Sequence, residues 1–451
     1  MRYVVNLVIV IGLAAGLLLP ATEARSVSLI RDAEIEWVIR DWSEPIFRAA
    51  GLNPDAITVH LVDDRSLNAF VAGGQRIFIN TGLLQRVRTP NELIGVIAHE
   101  TGHIAGGHLA RFHDATKNAT ATSILGMVLG AAAMIAGAPQ AAGAALLGSQ
   151  QIAQRSFLQF TRTQESSADQ AAATYLQDTG QSVQGLVDFL GVLGDQEALL
   201  SSRQDPYVRT HPLSRERVSA LENRAARQGQ VRPDSATDKL HLALIQAKLD
   251  GYLNGLQATL RKWPESDNSL PARYARAFAY YRSADMNRAL PLVDSLIADQ
   301  PDYAFFHELK GQILLESGRV EDSIPPYRDA VRLAPQESLL QTGLAQALLA
   351  TENPAHLAEA EQALNSSLRQ DPDSPNAWRQ LAIAEGRSGD LGLSALANAE
   401  YFYRTGNYRD AYGQAQRAAR MIPAGAPGQV RATDIEAEAK RLLEEQQQKR
   451  R

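Results

Sequence analysis

The chain has 451 residues, 45 Lys and Arg against 50 Asp and Glu, a net charge of −5 and no cysteine. That length exceeds what a single hydrophobic core organises and calls for two or three domains. Mild acidity without a block of Lys or Arg argues against a nucleic-acid partner. The missing cysteines exclude a disulfide framework and a lipid-modified N-terminal cysteine.

Arg2, an apolar run from Val4 to Leu19, Pro20 and then Ala21-Thr22-Glu23-Ala24 follow the charged, apolar and small-residue order of a secretory signal. Residues 1–24 are therefore expected to be removed on export, leaving a periplasmic protein. The alternative, an uncleaved anchor, is disfavoured because the run is shorter than the ~20 apolar residues a spanning helix needs. Residues 29–50 carry apolar positions at helical spacing. Residues 57–62 and 76–80 read as strands, with Gly73-Gly74 turning before the second. A helix then runs from 90 to 113, opened by the capping-box sequence Thr89-Pro90-Asn91-Glu92. These elements predict a small α+β domain.

No residue from Thr120 to Gln150 is charged, and the segment 121–148 is rich in Ala, Gly and Leu. Buried helical packing or a mobile lid is the favoured expectation for it, and peripheral contact with a membrane the alternative. Residues 155–193 are again helical and carry Glu165. The polar stretch 229–237 marks a linker, which divides the mature chain into a domain at 25–228 and another at 238–425, followed by a charged helix or tail at 426–451.

The second domain is repetitive. Pro264, Pro301, Pro335, Pro372 and Pro423 each close a helical stretch. Gly311, Gly318, Ser323, Tyr327, Ala330 and Pro335 share their spacing with Ala399, Gly406, Ala411, Ala415, Ala418 and Pro423. Small residues at fixed steps let paired helices approach closely, and the pattern resembles the tetratricopeptide repeat. Such a solenoid buries its core between neighbouring repeats and offers a concave surface to partners.

Chemistry concentrates at His99-Glu100-Thr101-Gly102-His103. Histidines four apart on a helix share a face and can grip one Zn²⁺, with the intervening glutamate placed to take a proton from water. A catalytic zinc wants a third protein ligand, and Glu165 is the best candidate. Asp169, one helical turn on, can accept a hydrogen bond from a ligand histidine and fix its tautomer. His211, in Thr210-His211-Pro212, has three readings: an oxyanion donor, a removable fourth ligand that keeps the site latent, or a structural loop histidine. His108 and His113 continue the metal helix off the ligand face and are expected to be non-ligands.

Asn68-Ala69-Phe70, Gly73-Gly74, Ile77-Phe78-Ile79-Asn80-Thr81-Gly82, His99-Glu100-x-x-His103, Glu165-x-x-x-Asp169 and Thr210-His211-Pro212, in that order, resemble the HtpX/CAAX-prenyl-protease class of zinc metallopeptidases. With an export signal in front and repeats behind, the whole chain resembles the periplasmic, repeat-bearing members of that class. The resemblance implies one zinc per chain held by His99, His103 and Glu165, Glu100 as general base, and His211 as the removable ligand. It also implies that Asn68, Phe70, Ile77 and Ile79 belong to a strand edge along which an extended substrate lies. The substrates would be unfolded or stalled outer-membrane proteins, with the repeats meeting the outer-membrane assembly machinery. A different class of function, a chaperone or adaptor with a latent or structural metal site, is the competing expectation.

Overall fold

The computed structural model describes residues 28–135, 139–199 and 211–450. The expected export signal and Thr210 lie outside them, as does the side chain of His113. The chain is mainly α: a small α+β unit is followed by a solenoid of helix pairs.

Helix α1 (Ala33–Ala49) starts where Asp32 accepts a hydrogen bond from the Ile35 amide. Ile35, Val38, Ile39, Trp42 and Ile46, spaced three or four apart, put one face into the core. The helix begins later than its apolar spacing predicts, because Leu29–Ile30 pair with Leu61 and Val62 as β1. The sheet continues with β2 (Thr58–Val62), β3 (Ala69–Ala72) and β4 (Arg76–Asn80) in the order β1-β2-β4-β3. β2 and β4 are parallel, whereas β3 and β4 form an antiparallel hairpin across Gly73 and Gly74, whose positive φ values of 59° and 98° make the turn.

This order corrects the expected substrate strand. β4 has a partner on each side, so Ile77 and Ile79 have no free edge to offer, and both side chains are fully buried in the core. The edge strand is β3, to whose outer side no strand pairs among the described residues. Asn68 precedes it and Phe70 lies within it, stacked on Phe78 at 5.0 Å on the opposite face of the sheet from Ile77 and Ile79.

A one-turn helix α2 (Thr81–Leu84) leads to α3 (Pro90–Ala105). As the capping sequence predicts, Thr89 accepts from the Glu92 amide at 3.2 Å. Glu92 reaches back one residue further than expected, to the Arg88 amide at 2.7 Å. Helix α3 is buried on every side from Pro90 to Gly102 and packs beside β3. It ends earlier than predicted: Gly106 and Gly107, the latter at φ +62°, break the run, and α4 (His108–Ile135) starts in a new direction. Helix α5 (Pro139–Asp178) returns antiparallel to α4, followed by α6 (Gln184–Leu199) and α7 (Arg215–Arg227).

The uncharged segment is not buried packing. Ile124, Leu125, Met127, Val128 and Leu129 on α4, and Leu147 and Ile152 on α5, are all about half exposed or more (49–63%). The two helices pack mainly against each other at this level among the described residues.

Helix α8 (Ala236–Leu253) opens the repeat region yet contributes Leu242, Ile245 and Leu249 to the first core. The pairs then run α9 (Leu256–Lys262), α10 (Leu270–Arg282), α11 (Met286–Asp299), α12 (Ala304–Glu316), α13 (Val320–Leu333), α14 (Ser338–Ala350), α15 (Leu357–Gln370), α16 (Pro375–Ser388), α17 (Leu391–Arg404), α18 (Tyr408–Met421) and α19 (Pro427–Arg450). The predicted small positions recur in structural roles. Gly318 and Gly406, at φ +82° and +74°, turn one helix into the next, while Ser323, Ala330, Ala399, Ala411, Ala415 and Ala418 are fully buried between helices. The charged end is a helix with an interior face, since Ala432, Ile435 and Ala439 are buried against its neighbours.

Candidate metal centre

The site is assembled where α3 and α5 cross. A Cβ at residue 102 would lie 2.8 Å from the Ala168 carbonyl oxygen, so only glycine lets the two helices touch at this point. That contact sets Glu165 and Asp169, one turn apart on α5, against His99 and His103, one turn apart on α3. His211, at the start of the described segment before α7, closes the group from the third side.

His99, His103, Glu165 and His211 each turn one donor atom to a common point. The His99 and His103 Nε2 atoms are 3.1 Å apart, and each lies 3.4 Å from a Glu165 carboxylate oxygen. His211 Nδ1 lies 3.3 Å from His99 Nε2 and 3.2 Å from Glu165. Four donors around an ion at about 2.0–2.1 Å in tetrahedral array stand roughly 3.3–3.4 Å from one another. The spacings of His99 to His103, Glu165 and His211 are close to that figure, and the donor atoms of the whole group lie within 4.8 Å of one another. His99 Nδ1 lies 2.9 Å from Asp169 Oδ1, which leaves its Nε2 to face the other donors. Burial opposes charge on His99, yet the bonds it donates to the Asp169 and Glu165 carboxylates outweigh this and raise its pKa to about 10, so the two acids favour positive charge at this point. Burial likewise opposes charge on Glu165, but His211 and His99 hold its carboxyl far below the usual carboxylate range.

Glu100 is fully buried beside the group, and neither carboxylate oxygen has a hydrogen-bond partner among the described residues. Burial raises its pKa. His211 Nε2 is 3.5 Å from its Oε1, so the histidine that completes the donor set also lies against this carboxylate.

Two supporting residues were not legible from the motif. Arg217 is buried and bidentate on Asp169, with Nε 2.6 Å from Oδ2 and Nη2 2.9 Å from Oδ1. Its Nη1 reaches Glu165 at 2.9 Å and the Pro212 carbonyl at 2.8 Å, tying the His211 loop to both acids. His108 is a non-ligand as expected, but for a different reason: it begins a separate helix, and its Nδ1 lies 3.0 Å from His103 Nδ1. Burial, then Arg111, lower His108 to about 4, so the ring is neutral and can accept the His103 Nδ1 proton while His103 Nε2 faces the donor set. The Gly106-Gly107 pair was the signal that the helix count stops before His108.

A buried His-Glu-His set on an α+β core, with a carboxylate beside it, can hold a metal ion. Residues 31–225, which contain every residue of the cluster, match the model of Peptidase family M48. Among its relatives, the beta-barrel assembly-enhancing protease of Yersinia pestis is 28% identical over 82% of this chain and 76% of its own length. The protein of the same name from Escherichia coli strain K12 is 27% identical over the same shares. Metalloprotease LoiP of Escherichia coli strain K12 is 27% identical over 40% of this chain and 66% of its own.

Proposed function

We propose that this chain is an exported zinc-dependent endopeptidase of outer-membrane protein quality control, degrading misassembled clients and assisting assembly. The observation that carries the enzymatic part is the convergence of four donors within 4.8 Å of one another beside the buried carboxylate of Glu100. His99, His103 and Glu165 would hold one Zn²⁺ per chain, with Asp169 fixing the His99 tautomer. Imidazole and carboxylate ligands at these spacings suit zinc. A bound zinc ion supplies Lewis acidity toward water and the scissile carbonyl. Glu100 takes a proton from the attacking water on its free oxygen and delivers it to the leaving amine nitrogen. Its raised pKa keeps the protonated form within reach for the second transfer. An extended substrate adds to the outer edge of β3, beside α3, through main-chain bonds that tolerate varied side chains.

His211 is the fourth, removable ligand. A catalytic zinc keeps one position open, and the nearness of His211 Nδ1 to His99 and Glu165 supports the reading that it would fill that position in a latent state. Activity requires the His211 loop to withdraw, breaking the contact between Arg217 and the Pro212 carbonyl. The outer-membrane role and the periplasmic address rest on the likeness to the beta-barrel assembly-enhancing proteases and on the order of residues 1–24. The repeats would supply the surface for the assembly machinery and for stalled clients.

The closed donor set also favours a second reading, an assembly chaperone or adaptor whose metal is structural or latent. Degradation of an unfolded test protein separates the two. His211→Ala should cleave faster than the parent chain, and His211→Ala/Glu100→Gln should bind zinc without cleaving, slower by about 10²–10⁴-fold. Zinc-loaded His211→Ala that fails to cleave overturns the latency reading and favours the adaptor.

A further inference from the structure

Helices α4 and α5 form an arm that grows directly out of the metal centre, since α4 follows the ligand helix and α5 carries Glu165 at its inner end. Eleven of the nineteen large apolar side chains that stand exposed among the described residues belong to these two helices. Between Lys117 on α4 and Arg155 on α5 the sequence holds no charged residue. Lys117 and Arg155 flank the turn nearly equally, so they stand at the same level of the antiparallel pair. Two turns nearer the metal, Arg111 and Arg162 form a second basic level, with Asp114 the one exposed acid between.

The apolar surface is not a stripe. Ile124, Leu125, Met127, Val128 and Leu129 spread over roughly 200° of the helix circumference at 100° per residue. Helix α5 covers the remainder. A partner helix or groove needs one apolar face, whereas apolar residues all round suit an apolar solvent. From residue 118 to its end at 135, α4 is about 27 Å long at 1.5 Å per residue. No described helix is long and apolar enough to cross a membrane, so the arm must enter and return on one side.

We propose that the α4–α5 arm docks this protein on an anionic lipid surface, with the uncharged end in the acyl region and Lys117 and Arg155 at the phosphates. Each basic side chain near an anionic surface adds about a fivefold gain in partition. Because α5 itself carries Glu165, and α4 follows α3 across the Gly106–Gly107 break, docking also brings the metal centre close to the lipid. The inference is independent of whether the metal centre catalyses.

The absence of cysteine provides the test, since one introduced thiol is a unique label. The chain from residue 25, carrying bimane at Leu125→Cys or at Val430→Cys, is mixed with phosphatidylglycerol or phosphatidylcholine vesicles and examined by fluorescence and flotation. The label at 125 should shift to the blue with phosphatidylglycerol, and the label at 430 should not. Lys117→Gln/Arg155→Gln should weaken flotation with phosphatidylglycerol by roughly 10- to 30-fold and leave the weaker binding to phosphatidylcholine unchanged. Leu125→Glu/Val128→Glu/Leu147→Glu should abolish both while preserving the thermal transition. Failure of the parent chain to float with either lipid overturns the proposal, as does undiminished flotation of the triple variant. A label at 125 that shifts only as protein concentration rises, without lipid, assigns the arm to a second copy instead.

Discussion

At the proposed metal centre each candidate ligand is held by a residue outside the donor set. Asp169 fixes His99, His108 takes the second nitrogen of His103, and Arg217 binds Asp169, Glu165 and the Pro212 carbonyl together. Removing such a support lowers metal affinity without removing a ligand, typically by about 10- to 100-fold. Asp169→Asn should therefore lose zinc to a competing chelator at that scale while its helix content stays unchanged. Arg217→Lys should fall in the same range, because an ammonium cannot reproduce the planar fork that grips both oxygens of Asp169. Chelation should lower the thermal midpoint of the parent chain more than that of His99→Ala, since a ligand bound to the native state alone stabilises it by mass action. That His99, His103 and Glu165 come together could be read from His99-x-x-x-His103 and Glu165-x-x-x-Asp169 because helical spacing is local. Arg217 and His108 could not, because their partners lie 48 residues away or across a helix break.

Helix crossings fix where those residues stand, and glycines fix the crossings. Gly102 touches α5 at the Ala168 carbonyl, whereas Gly311 and Gly343 sandwich the Tyr327 ring from two neighbouring helices, each with a would-be Cβ 2.7 Å from a ring carbon. Alanine at either kind of site overpacks the crossing at a cost of about 1–3 kcal/mol. The consequences should differ. Gly102→Ala should lower both the thermal midpoint and zinc affinity, because the displaced helix carries Glu165 three residues before the contact. Gly311→Ala should lower the midpoint and leave zinc binding unchanged. Equal loss of zinc in both variants, measured by metal content after dialysis, would refute this division. The same small residues made the repeats legible, since they recur at fixed steps. The sheet was legible only in part: β3 is four residues long, and nothing local in Ile77 and Ile79 tells an inner strand from an edge.

Over the whole molecule the repeats do more than follow the peptidase unit. Helix α1 lies against the first helices of successive pairs, with Ala33 sharing a core with Ala304, Phe305, Ala330 and Leu340. Its fully buried Glu34 accepts hydrogen bonds from the Tyr274 and Tyr303 hydroxyls, both at 2.7 Å, and pairs with Lys248 at 3.1 Å. Arg31 and Arg40 extend the contact to Asp371 and Glu337. The first repeat pairs are thus engaged by the chain's own helix, whose contacts, with those of Arg31 just before it, reach among the described residues as far as Asp371, ahead of α16. No sequence pattern foretold this, because Glu34 is separated from its tyrosines by more than 200 residues and looks like any helical acid. Glu34→Ala leaves Lys248 with its closer partner Asp32 at 2.7 Å but removes the acceptor of the Tyr274 and Tyr303 hydroxyls, a loss of about 1–3 kcal/mol for each buried donor left unsatisfied. If the two units are held in register by this contact, Glu34→Ala should split the single thermal transition in two and open residues 228–235 to proteolysis, with zinc still bound. Glu34→Gln, which keeps the hydrogen-bonding oxygen but not the charge, should sit between it and the parent. A single transition with an unchanged midpoint in Glu34→Ala would mean that the apolar contacts of Ala33 and Trp37 hold the units together without it.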